Sequence, residues 1–189
     1  MFKRLALVFC LLLTPLLPVT TASAQGSLSD SYSGEDLVST GQAFFGSASQ
    51  GLASVVERAV SSFGLPNGYI LGEDAGGALF AGARYGEGTL YTRNAGEIPV
   101  FWQGPSVGFD VGGDGSKVMM LVYNLSSVQE VFGRFAGVDG SAYVIGGLGM
   151  TVIKYRNVVM VPIRTGVGAR LGINIGYLKF TPEPTWNPF

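Results

Sequence analysis

From Ala78 to the carboxyl end, apolar and polar residues alternate with a period of two, and glycine recurs inside the alternation. That period puts successive side chains on opposite faces of a strand, so it commits most of the chain to β-structure. Residues 164–180, RTGVGARLGINIGYLKF, show it most clearly. Val167, Ala169, Leu171, Ile173, Ile175 and Tyr177 share one face, and Gly166, Gly168, Arg170, Gly172, Asn174 and Gly176 share the other. The glycines do not make a phosphate loop: the G-x-G-x-x-x-G spacing is one residue too long for the dinucleotide fingerprint, and no helical pattern follows it. An outer-membrane barrel also alternates and often ends in phenylalanine, as this chain does at Phe189. However, Pro182, Pro184 and Pro188 remove ladder donors from the tail, helical patterns interrupt the strands, and regular aromatic girdles are missing. The expectation is a mainly β fold: a small soluble antiparallel β-barrel with one N-terminal amphipathic helix and one short inserted helix.

Further strands are read along the chain. "ALFAGARY", "GEG" and "TLYTRN" suggest a hairpin whose turn uses positive φ at Gly86 and Gly88. "PSVGFDVGGDGSKVMMLVYNL" suggests a second, turning at Asp114-Gly115, with Val118 to Tyr123 as a strand buried on both faces. Ser127 and Glu130 have capping-box spacing ahead of a stripe of Val128, Val131, Phe132 and Phe135, which marks the short helix. "SAYVIGGLGMTVIKY", "VVMVPIR" and the final stretch add at least three strands, separated at Arg156-Asn157 and near Pro162. Upstream, Leu52, Val55, Val56, Ala59, Val60 and Phe63 follow helical spacing and stop at Gly64 and Pro66, predicting a core-facing helix over 52–63.

The first residues have the form of a secretory signal peptide, residues 1–24. Lys3 and Arg4 precede an apolar run from Leu5 to Leu17, and Ala22-Ser23-Ala24 offers a small-x-small cleavage site. Residues 25–50, rich in Ser, Gly and Gln, are expected to be a loose leader, and 51–189 a single domain. Cys10, the lone cysteine, lies behind Phe9 where a lipobox needs a small residue. The exported chain then has no cysteine and no histidine. Imidazole and thiolate catalysis, disulfides and the usual zinc sites are excluded. Without Lys3 and Arg4, 10 basic residues face 13 acidic ones, which is no signature of a nucleic-acid binder.

The arrangement of Gly77 to Asn124, with "GARYGEG" and "SVGFDVGGDGSK", followed by the short helix and the glycine-rich strands, resembles the EipA family of alphaproteobacterial periplasmic proteins. The resemblance implies a soluble periplasmic β-barrel that supports envelope integrity without enzymatic activity or cofactor. More distantly the same core is similar to the SYLF lipid-binding domain, from which it departs in its long final strands and its export signal.

The residues themselves offer few chemical groupings. Asp110 and Asp114 flank a turn and lack the further carboxylates of a calcium loop. Glu73-Asp74 and Glu87 are the candidate carboxylates for glycan hydrolysis, which needs two that meet. No S-x-x-K supports a serine nucleophile. Lys154 and Arg156 share one strand face, as do Arg164 and Arg170, and the four are the candidate ligand-binding residues, forming either simply a solvated outer wall or a shallow cationic surface. Its ligand would be an envelope component (lipid, lipopolysaccharide or acidic glycan) or a periplasmic protein, with peripheral membrane contact. Trp102 is expected to be half buried, and Trp186 to serve as a sugar platform or as tail packing.

Overall fold

The computed structural model describes residues 28, 30–77, 81–107, 116–165 and 176–187. The proposed signal peptide, the Asp114-Gly115 turn and most of the 164–180 alternation, Arg170 included, lie outside the described residues.

Ten strands are described: β1 (Gly68–Gly77), β2 (Ala81–Thr92), β3 (Gly96–Val107), β4 (Ser116–Tyr123), β5 (Arg134–Gly137), β6 (Tyr143–Ile145), β7 (Leu148–Met150), β8 (Ile153–Tyr155), β9 (Val158–Arg164) and β10 (Tyr177–Thr181). Eight of them close a barrel in the order β4-β1-β2-β3-β10-β5-β8-β9, and β9 returns to pair with β4. Every pairing is antiparallel, and β6 and β7 form a hairpin that extends from β9. The expected barrel is therefore the observed one.

Alternation sorts the side chains. The even-numbered residues of β1, β2, β3, β4, β9 and β10 point inward, and Ile70, Leu90, Val100, Trp102, Val118, Met120, Met160, Leu178 and Phe180 fill the interior together with Phe135 and Ile153. Trp102 is 1% exposed, deeper than expected. Room for its indole comes from glycine: a Cβ on Gly86 would lie 2.2 Å from Trp102 Cε2, and one on Gly72 would lie 2.7 Å from Cη2. This corrects the hairpin read at "GEG". Gly86 and Gly88 sit inside one continuous strand, β2, and the turn falls at residues 93–95, with Gly96 at φ 75°. A glycine in an alternating run serves a turn or a close approach equally well, and here Trp102 makes it the second.

On the outside, β4 and β9 carry Met119, Leu121, Tyr123, Val159, Val161 and Ile163, and two helices cover them. One is α2 (Leu52–Phe63), the predicted helix, with Leu52, Val55, Val56 and Ala59 buried. The other, α1 (Gly34–Phe45), replaces the expected loose leader. Ser33 caps it by accepting from Asp36 N, Glu35 and Asp36 complement its amino end, and Leu37 and Phe45 are buried. Each large apolar side chain fully buried this way contributes roughly 1.5–3 kcal/mol. At the other end of α1, Lys117 Nζ donates to the Phe44 carbonyl at 2.7 Å. The short inserted helix is a single 3-10 turn, Val128–Val131, which Glu130 steadies by accepting from Ser126 N.

Gly86→Ala is expected to destabilise the fold by about 1–3 kcal/mol, because the indole has no space to yield. In denaturant unfolding, the same change in a Trp102→Phe background should cost less. Equal losses in the two backgrounds would show that the indole is not the cause.

Candidate functional site

The interior is apolar along most of its length and ionic near one end. Asp74 on β1 continues the inward row of Ile70 and Gly72, Arg84 on β2 continues that of Leu90, Gly88 and Gly86, and Arg164 ends that of Val158, Met160 and Pro162 on β9. The register brings the three together. Gly86 pairs directly with Asp74, Arg84 lies two residues beyond Gly86, and Arg164 reaches Asp74 past β4, where Val118 pairs with both Gly72 and Arg164. Arg164 Nη2 is 3.0 Å and Arg84 Nε 3.7 Å from Asp74 Oδ2. The Asp74 side chain is 4% exposed, and the guanidinium-bearing side chains are 12% and 13% exposed.

The Arg164 contact is close but misaligned: Arg164 Nε and Nη2 complete no hydrogen bond among the described residues, although the Asp74 carboxylate lies 3.0 Å from Nη2. Trp102 Nε1, against Gly86 and thus next to the ionic layer, is also a buried donor with no acceptor.

The three described members of the candidate cationic surface do not come together. Lys154 is exposed on the outer wall of β8. Arg156 is exposed in the turn after it, at φ 53°, with its guanidinium 5.1 Å from the Tyr155 ring centroid. Arg164 faces the interior at the far end of β9, about 20 Å from that turn for a strand of this length. Three of the four residues thus occupy an outer wall, a turn and the lumen, and Arg170 is outside the described residues. Parity in the sequence carried the missing signal: Arg164 falls in the inward row with Met160, and Asp74 in that with Ile70.

Glu73 and Glu87 do meet, as direct cross-strand partners, but both are exposed on the outer wall, where water solvates them. No group of three or more Asp, Glu, His or Cys gathers for a metal among the described residues. On the same wall, Tyr85 Oη donates to the Trp186 carbonyl at 3.0 Å and Lys179 Nζ to that of Asn187 at 3.5 Å. The tail therefore runs over the row Tyr85, Gln103 and Lys179, with Trp186 edge-on to Tyr85 and 86% exposed as a residue. Elsewhere Tyr123, buried against Phe63, has its pKa driven well above the ordinary tyrosine value by desolvation.

Asp74→Ala, which removes the carboxylate facing Arg164 and Arg84, is expected to cost about 3–5 kcal/mol in chemical unfolding. A loss under 1 kcal/mol would mean that the two arginines find other partners.

Comparison with known proteins agrees with this architecture. A beta-barrel-like, uncharacterized protein from Brucella abortus, solved by crystallography, is 63% identical, superposes with a TM-score of 0.78, and matches over 85% of this chain and 100% of its own. No curated protein matches. The model of the envelope integrity protein A family matches residues 30–189. The chain belongs to the envelope integrity protein A (EipA) family.

Proposed function

We propose that this protein acts without catalysis in the periplasm, where it maintains the cell envelope by binding an envelope component. The observation that carries the reading is the polarity of the barrel. Its lumen is apolar along most of its length, while Glu73, Glu87, Glu97, Arg134 and Lys154 stand exposed on the outer wall and helices cover the apolar faces of β4 and β9. A membrane barrel needs the reverse, an apolar outer band around a polar interior. No described helix is long and apolar enough to cross a membrane. The leader-like first 24 residues support export, and the family's description supports the envelope role.

A non-catalytic role is supported by the state of the acids. Asp74, the one buried carboxylate among the described residues, is engaged by two guanidinium groups, and the opposed Glu73 and Glu87 stand in open solvent. A lipid carrier enclosing an acyl chain fits less well, since side chains occupy the lumen.

Deleting the gene from a bacterium that carries it should leave growth in rich medium intact but raise sensitivity to detergent and to cell-wall antibiotics. The full chain should restore resistance, and a version lacking residues 1–24 should not. Unchanged sensitivity in the deletion strain would defeat the envelope role, and rescue by the leaderless chain would defeat the periplasmic location.

A further inference from the structure

We propose that a cleft at the end of the barrel remote from Asp74 is a binding site for a neutral glycan. The cleft has a volume of about 540 Å³ and is lined by Leu28, Asn67, Asn124, Leu125, Ser126 and Asn157. That volume is within the roughly 300–1,000 Å³ usual for small-ligand clefts. Three of the chain's six asparagines meet here from separate parts of the fold: Asn67 just before β1, Asn124 just after β4, and Asn157 in the turn between β8 and β9. Asn67 builds the site. Its Nδ2 donates to the carbonyls of Leu28 and Leu125, and its Oδ1 accepts from Leu125 N at 3.2 Å. Asn124 Nδ2 donates to the Asn157 carbonyl at 3.3 Å and so joins the two loops. Leu28 and Leu125, 6% and 1% exposed, also belong to the lumen core, which gives the cleft an apolar floor.

The lining selects the ligand. Among the described residues no charged side chain lines the cleft, so a phosphate, carboxylate or ammonium group would leave water there without a compensating charge. Carboxamides and a hydroxyl line it instead, and both groups donate as well as accept, as every sugar hydroxyl does. Asn67 is occupied by the scaffold. The Asn157 carboxamide, Asn124 Oδ1 and the Ser126 hydroxyl make no hydrogen bond among the described residues and are left for a ligand. A pyranose ring matches this division of the cleft: its C–H face rests on the two leucines, while its hydroxyls or an acetamido substituent meet the amides. An acyl chain has no use for the amides, and side chains fill the lumen below the floor. The glycan is the class of envelope component in the function proposed above, and its assignment rests on that reading.

Amide NMR of the chain without residues 1–24 tests the site. Titration with tri-N-acetylchitotriose, and separately with maltotriose, which lacks acetamido groups, should shift the backbone and side-chain amide signals of 124–126 and 156–157 saturably. The Trp186 indole signal should stay in place. Asn124→Gly removes the carboxamide while suiting the backbone at φ 58°, and Asn157→Ala alters an exposed turn, so both variants are expected to fold. Each should weaken binding about two- to tenfold, the range for a neutral hydrogen bond. Trp186→Phe, on the outer wall, should bind as the unaltered chain does. Saturation by tri-N-acetylchitotriose alone supports an N-acetylated glycan, and saturation by both sugars a hydroxyl-directed one. No saturable shift with either sugar would overturn the site, as would undiminished binding by both asparagine variants. Loss of binding in Trp186→Phe alone would overturn it in favour of the tail, and a response to trialanine but to neither sugar would overturn the glycan in favour of a peptide. Intact sugar binding without a deletion phenotype defeats the envelope role alone, and a deletion phenotype without sugar binding defeats this site alone.

Discussion

The pairing of β4 with β9 ties the two hydrophobic cores of this protein into one structure. Both strands are buried on both faces: Val118, Met120, Val122, Met160 and Val158 look into the lumen, while Met119, Leu121, Tyr123, Val161 and Ile163 look toward the helices. The same six-rung ladder closes the barrel. Without it the lumen would open along a seam and the helices would lose their floor, so circularity and layering rest on one set of backbone hydrogen bonds. An isolated sheet of this composition would also present two long edges, which closure removes.

Within the closed ring, the size of Trp102 organises the middle of the lumen and its polar edge organises the end. The indole occupies space that Gly72 and Gly86 leave open, and it lies between the apolar filling and the layer of Asp74, Arg84 and Arg164. A purely apolar lumen of this size gains little from charges, and replacing buried ion pairs by well-packed apolar groups is often neutral or stabilising. The Asp74 carboxylate, facing Arg84 and Arg164 from a neighbouring strand and from one two strands away, therefore ties β1, β2 and β9 together at that end without adding much to the stability of the lumen.

Much of the fold was legible in the residues. The apolar run Val118–Tyr123 announced a strand buried on both faces, the 3.6-residue stripe over 52–63 announced α2, and the proline-rich tail ruled out a terminal membrane strand. Three features were hidden for physical reasons. Helix α1 buries few side chains and includes Gly34, Ser39, Thr40 and Gly41, so its composition looks like a loop. It holds because Ser33 caps it and because Gly41 lets Leu52 of α2 come close. The glycines at 86 and 88 carry no local mark to distinguish a turn from a place where an indole must lie. Arg164 looked like one of a row of outward cations because a charged residue in an alternating strand ordinarily faces water; only knowledge of which parity is inward, and of the carboxylate two strands away, reverses that assignment.

The helical layer has a consequence for how the chain comes into being. Helices α1 and α2 are made first, yet the surfaces they cover belong to β4 and β9, which are completed only at residues 123 and 164. Until then the apolar faces of two twelve-residue helices, each of marginal length for an independent helix, have only each other. The barrel itself waits still longer, because β10 must reach back to β3, setting Phe180 opposite Trp102. Such distant pairings fold slowly. The nascent protein therefore passes through a prolonged interval with a sticky amino-terminal segment and no sheet to receive it, the circumstance in which a holding chaperone earns its place.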